Sequence, residues 1–178
     1  MPAVKVNRAP VLTLWASIVA ERLGYDPRAA LSLAKAVTGL NAQSKGRRLG
    51  IYKPTEPAEG PPRKKIPPKE LEWVELLGRA VPAKHTAHGL RALDKSKTIE
   101  PEGVERYLQL KFGPALAEIR QAMEVLARAF SPGELAARAF SLYERFRPVI
   151  PPGVQGWGAK GELRPEFIRS LAKQKTKD

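Results

Sequence analysis

The 178-residue chain has no cysteine, two histidines and three aspartates. Without cysteine there is no disulfide, no thiolate zinc site and no thiol nucleophile, so the redox compartment leaves no mark. Two histidines and three aspartates leave little for a serine triad or for the carboxylate cluster with which a nuclease holds Mg²⁺. Aromatics are few, at 7% of residues. No apolar run reaches the ~20 residues of a membrane-spanning helix. The longest such stretch, in the N-terminal region, is broken by Thr13, Ser17, Glu21 and Arg22. Lys5 and Arg8 ahead of Val11–Ala20 suggest a secretory leader, but no cleavage site follows. These features predict a cytoplasmic protein with no membrane partner and no cofactor.

Lysine and arginine are abundant: 31 of them against 18 acids give a formal charge of +13. The excess is uneven. Residues 1–53 hold nine cations and two acids, a net +7, whereas residues 99–147 hold seven of each. Such a distribution predicts a balanced scaffold and a basic surface that meets an anion. An apolar fraction of 43% is too high for a disordered chain, so a folded core is expected.

The length favours one domain over residues 1–178. It divides into a basic helical pair with its loop (1–53), a proline-rich linker or arm (54–68), a helical core (69–172) and a basic tail (173–178). The periodicity predicts an all-α fold, a compact bundle of about seven helices with an N-terminal helix–turn–helix unit. Leu12, Trp15, Val19 and Leu23 mark one face of the first helix. Asp26-Pro27 opens the second, and Ala30, Leu33, Ala34, Val37 and Leu40 continue it. Further helices are expected over 69–78, from Pro101 to Phe112, over 114–130, from Pro132 and from Pro165, with a short one at 88–93. The 114–130 and 132–147 helices are expected to form an antiparallel pair. Ser131-Pro132-Gly133-Glu134 has the form of a capping box with proline at the first helical position. No run of period-two alternation and no Asn-Gly or Asp-Gly turn argues for a sheet.

After the helical pair, the stretch 41–53 reads as a glycine-bearing basic loop. Lys45, Arg47, Arg48 and Lys53 are the candidate phosphate contacts, with Gln43 as a polar donor and Tyr52 as a stacking surface. The next segment has six prolines between 54 and 68, which favours an extended path, and carries Arg63, Lys64 and Lys65 as auxiliary contacts. The second helix of the pair offers little for base reading, so weakly specific binding fits better. Lys84, His85, His88 and Arg91 form a further candidate anion patch; a zinc site at the two histidines would require helical spacing and finds no third ligand.

Gly153–Gly161 lacks the Gly-Lys-Ser/Thr and the preceding strand of a phosphate-binding loop. Ile150-Pro151-Pro152-Gly153-Val154 resembles the turn of helix-hairpin-helix DNA-binding modules, with Gln155 in place of the second glycine, and implies no residue roles. Glu118, Glu124 and Glu144 are expected to pair with Arg120, Arg128 and Arg147 on exposed faces.

The functional expectation is a nucleic-acid-binding protein without enzymatic activity. Duplex DNA comes first as partner and RNA second, with a nucleoid location if DNA is bound. The alternative is an adaptor whose basic surface meets an acidic protein. Oligomeric state is not legible.

Overall fold

The computed structural model describes residues 4–48, 72–94, 97–148 and 160–177, the side chains of 41–48, 160 and 175–177 excepted. The fold is α+β, which overturns the all-α expectation. In chain order the elements are β1 (Val4–Asn7), α1 (Arg8–Arg22), α2 (Pro27–Arg48), β2 (Glu72–Leu76), β3 (Arg79–Thr86), β4 (Gly89–Asp94), β5 (Lys97–Thr98), α3 (Pro101–Phe112), α4 (Leu116–Arg128), α5 (Pro132–Phe146), β6 (Lys160–Leu163) and α6 (Pro165–Lys177). A 3₁₀ turn over Gly113–Ala115 joins α3 to α4.

α1 is the centre of the molecule. Eleven consecutive residues, Pro10 to Ala20, are buried. A helix buried on every side is surrounded on every side, and α1 packs against α2, α3, α4, α5 and β1. The single apolar face expected from Leu12, Trp15 and Val19 understates this. Its polar residues are satisfied locally: Ser17 donates to the Leu14 carbonyl at 2.7 Å and Thr13 to the Ala9 carbonyl at 2.9 Å. Trp15 donates from Nε1 to the Ala139 carbonyl at 2.9 Å and meets Phe146 edge-on at 5.3 Å, which docks α5 on α1.

The predicted start of α2 holds. Asp26 Oδ1 accepts from the Ala29 amide at 2.9 Å, and Pro27 opens the helix. The helix then runs to Arg48, through the stretch expected to be a loop. Gly39 and Gly46 weaken a helix interior by ~1 kcal/mol each, too little to stop one whose first half is anchored on α1.

The largest correction falls on residues 72–98. The helix expected over 69–78 and the loop with a short helix after it are instead an antiparallel meander, β2-β3-β4-β5. Trp73, Val74, Glu75 and Leu76 alternate exposed, buried, exposed, buried. Such alternation is the mark of a strand with one buried face. The β2–β3 turn is Leu77-Gly78, with φ of 51° and 76°. Positive φ at both central positions is the type I′ form of a two-residue hairpin, and leucine in the first hides the turn from composition. Val74 lies opposite Val81, and Ala83 opposite Ala92.

α2 packs on β3 and β4. The Ser32 hydroxyl accepts from the Ala92 amide at 2.8 Å and donates to the Ile99 carbonyl at 2.7 Å, so a helix side chain is stitched into the sheet.

A second, two-stranded sheet pairs β1 with β6, Val4 opposite Leu163 and Asn7 opposite Lys160. The capping box of α5 forms as expected: Ser131 Oγ accepts from the Glu134 amide and Glu134 from the Ser131 amide. α4, expected to pair with α5, packs instead mainly on α6 and α1. α6 begins at Pro165 and continues to Lys177, beyond the expected start of a frayed tail.

Candidate nucleic-acid interface

Of the nine cations of residues 1–53, those on described residues fall toward two ends, with Lys35 between them. At the α1–α2 turn they are occupied by the protein itself. Arg22 donates to the Phe130 carbonyl at 3.0 Å, and Arg28 pairs with Glu102. Midway along α2, Lys35 lies over the Tyr107 ring, 4.7 Å from its centroid.

The second group sits at the opposite end. The Thr13 and Thr38 hydroxyls are hydrogen-bonded at 2.6 Å, which sets the register of the antiparallel α1–α2 pair. Five residues from that bond in each direction bring Arg8, at the start of α1, level with Gln43 of α2. The 22 residues of α2 span ~33 Å at 1.5 Å per residue. Its last turns, with Lys45, Arg47 and Arg48, therefore run past the N-terminus of α1. Cations there also suit the negative end of the α2 dipole. Lys5 is exposed on β1 and stands opposite Glu162. Lys53, Tyr52, Arg63, Lys64 and Lys65 lie outside the described residues, as does the Ile150–Val154 turn.

Two residues that the sequence did not offer as phosphate contacts complete this end. Arg8 is half-buried, and its Nε donates to the Pro148 carbonyl at 2.9 Å. Arg147, expected to pair with Glu144, lies over the Tyr143 ring, its guanidinium carbon 6.0 Å from the centroid. Tyr143 closes the triangle, its hydroxyl donating to the Arg8 carbonyl at 3.3 Å. Burial pushes the Tyr143 phenol up to about 12, against the smaller opposing pull of Arg147 and Arg8. Burial, and then the Arg147 charge, lower the proton affinity of Arg8. α1 starts here with no acid in its first turn and no side-chain cap bond from Asn7. No local signal marks this junction in the sequence, because its members are joined across 140 residues.

The Lys84–Arg91 patch is divided by the sheet. His85 points to the face opposite Lys84 and contacts Glu72 at 2.9 Å. Arg91 is 2% exposed and donates to the Leu90 and His88 carbonyls. It braces the β3–β4 turn through these two carbonyls. The two histidines lie on a strand and a turn, so the helical spacing of a zinc pair is not realised.

Of the expected exposed-face pairs, Glu124–Arg128 forms at 3.2 Å, whereas Glu118 binds Arg169 of α6.

Two clefts remain. One of about 220 Å³ is lined by Glu21, Arg22, Arg120, Glu124 and Arg128; desolvation raises the Glu21 pKa and Arg120 opposes it. Its acids and bases nearly cancel. The other, about 510 Å³, lies between α2 and the sheet, with Ala36, Leu40, Pro82, Leu93 and Ile99 as apolar lining.

Among the described residues no three His, Asp or Glu side chains gather as metal ligands, and no helix is long and apolar enough to cross a membrane. Comparisons with family models, curated proteins and solved structures find no match.

Proposed function

We propose that this protein binds nucleic acid through its phosphates, duplex DNA first and RNA second, with weak sequence specificity. The supporting observation is the register that brings Arg8 level with Gln43, so that the last turns of α2, which carry Lys45, Arg47 and Arg48, pass the end of α1 at which Arg8 and Arg147 stand. Cations along one end suit the regular phosphate spacing of a duplex and release counterions on contact. Lys53, Arg63, Lys64 and Lys65 would extend the surface, with Gln43 and Tyr52 as polar and stacking contacts. A cytoplasmic location, at the nucleoid for DNA, goes with this reading, and no catalytic role or cofactor is proposed.

The test is titration of random-sequence duplex DNA and RNA at several salt concentrations. Changing Lys45, Arg47 and Arg48 to Ala together should weaken binding to every sequence. It should also flatten the log–log salt slope by about three units. An unchanged slope and affinity would remove the α2 tail from the interface. A flat response of the intact protein to both polymers would favour the adaptor with an acidic protein partner.

A further inference from the structure

We infer that the Arg8–Arg147 junction receives a phosphomonoester dianion, the terminal phosphate of a nucleic-acid strand. This rests on the nucleic-acid reading above and assigns one part of that surface a narrower task.

Charge at this junction is uncompensated. Arg8, whose backbone carbonyl accepts from the Tyr143 hydroxyl, and Arg147, whose guanidinium carbon is 6.0 Å from the Tyr143 ring centroid, are both half-buried, and the Arg147 charge reaches Arg8. Neither meets a carboxylate at ion-pair distance among the described residues. Among the described residues, Glu144 is the acid whose field reaches Tyr143. The phenol is neutral at physiological pH and brings no negative charge. Like charges held side by side in a partly dry site raise the energy of the free protein, and an anion between them lowers it.

The orientation of Arg8 is fixed. Its Nε is committed to the Pro148 carbonyl at 2.9 Å, so the guanidinium cannot rotate freely. Arg147 is laid on an aromatic face, which holds its plane without using its donors. Two pre-oriented forks match the oxygens of a phosphate. The first turn of α1, free of acids, adds the positive end of a 15-residue helix.

An internal phosphodiester carries one charge; a terminal phosphomonoester carries about −1.5 to −2 at pH 7. Two fixed guanidiniums at a helix end therefore favour the strand terminus over the strand interior. The α2 tail, by contrast, would track the backbone wherever it lies.

The experiment compares short duplexes that differ only in bearing a 5′-phosphate, a 3′-phosphate or hydroxyl ends. One phosphorylated end should bind about tenfold more tightly than the hydroxyl duplex. Arg147→Ala should reduce that preference to less than about twofold, weakening the phosphorylated duplex more than the hydroxyl duplex. Thermal unfolding checks the fold of the variant, and Arg147→Lys, which keeps charge but loses the fork, serves if Ala does not fold.

Equal affinity for all ends overturns the inference and leaves backbone binding standing. A preference that survives Arg147→Ala also overturns it. If no duplex binds, the nucleic-acid reading fails separately, and adenosine monophosphate decides the junction. Shifts of the Arg8 and Arg147 side-chain NMR signals on its addition support a phosphomonoester site, and their absence overturns it.

Discussion

Ser32 shows how much one hydroxyl can hold. It stands between the Ala92 amide and the Ile99 carbonyl, where a ladder bond would otherwise form. Ser32→Ala leaves the buried Ala92 amide and the part-buried Ile99 carbonyl without that partner, and should lower stability by about 1–3 kcal/mol in urea unfolding. An unchanged midpoint would show that strand and loop close the bond by themselves. Tyr143 makes a second prediction. Its folded pKa is raised to about 12, against about 10 in the unfolded chain. The phenol must therefore be neutral to stay folded. Its contribution is whole below about pH 10 and is lost as pH rises toward 12. In a spectrophotometric titration of the four tyrosines, one should ionise near 12 and be missing from Tyr143→Phe.

At the scale of elements, the signals that survived are those whose physics is local. A helix start depends on a side chain a few residues away, so Asp26-Pro27 and the Ser131–Glu134 box were legible and both form. Ser131→Ala should cost about 1 kcal/mol, read as a shift of the denaturation midpoint with unchanged m-value. A full-strength midpoint would mean that Pro132 and the docking of Trp15 on Ala139 determine the start of α5. The meander over 72–98 was not legible. Its turn is Leu77-Gly78, and its strands are short enough that Leu71, Trp73, Val74, Leu76 and Leu77 also fit a helical face. Burial arbitrates: Trp73 is 62% exposed while Val74 and Leu76 are 3% and 1%. The α2 extension was missed for the opposite reason. Glycines in a basic run suggest a loop, yet a helix already nucleated on α1 continues through them.

For the whole molecule, the informative quantity is where charge ends after folding. Arg22 and Arg28 are tied to Phe130 and Glu102 at one end, Lys35 lies over Tyr107 midway, and Arg8 and the last turns of α2 lie toward the other end. If six to ten phosphates are engaged there, affinity for duplex DNA should fall about 10³–10⁵-fold between 50 and 200 mM salt. A much shallower dependence would mean that few of these cations reach the polymer. The same separation divides the candidate residues. Lys45, Arg47 and Arg48 were found from local density of charge, whereas Arg8 and Arg147 could not be.

Composition alone settled the chemistry that is closed to this chain: no thiol, no disulfide, no thiolate metal site. Local spacing settled where helices begin at Asp26, Pro101, Ser131 and Pro165, because caps and prolines act within one turn. Only folding decided that residues 72–98 pair as strands, since a strand acquires its preference from partners on other strands. Only folding, too, set Arg8 beside Arg147, because that adjacency depends on α5 docking against a helix buried on all sides.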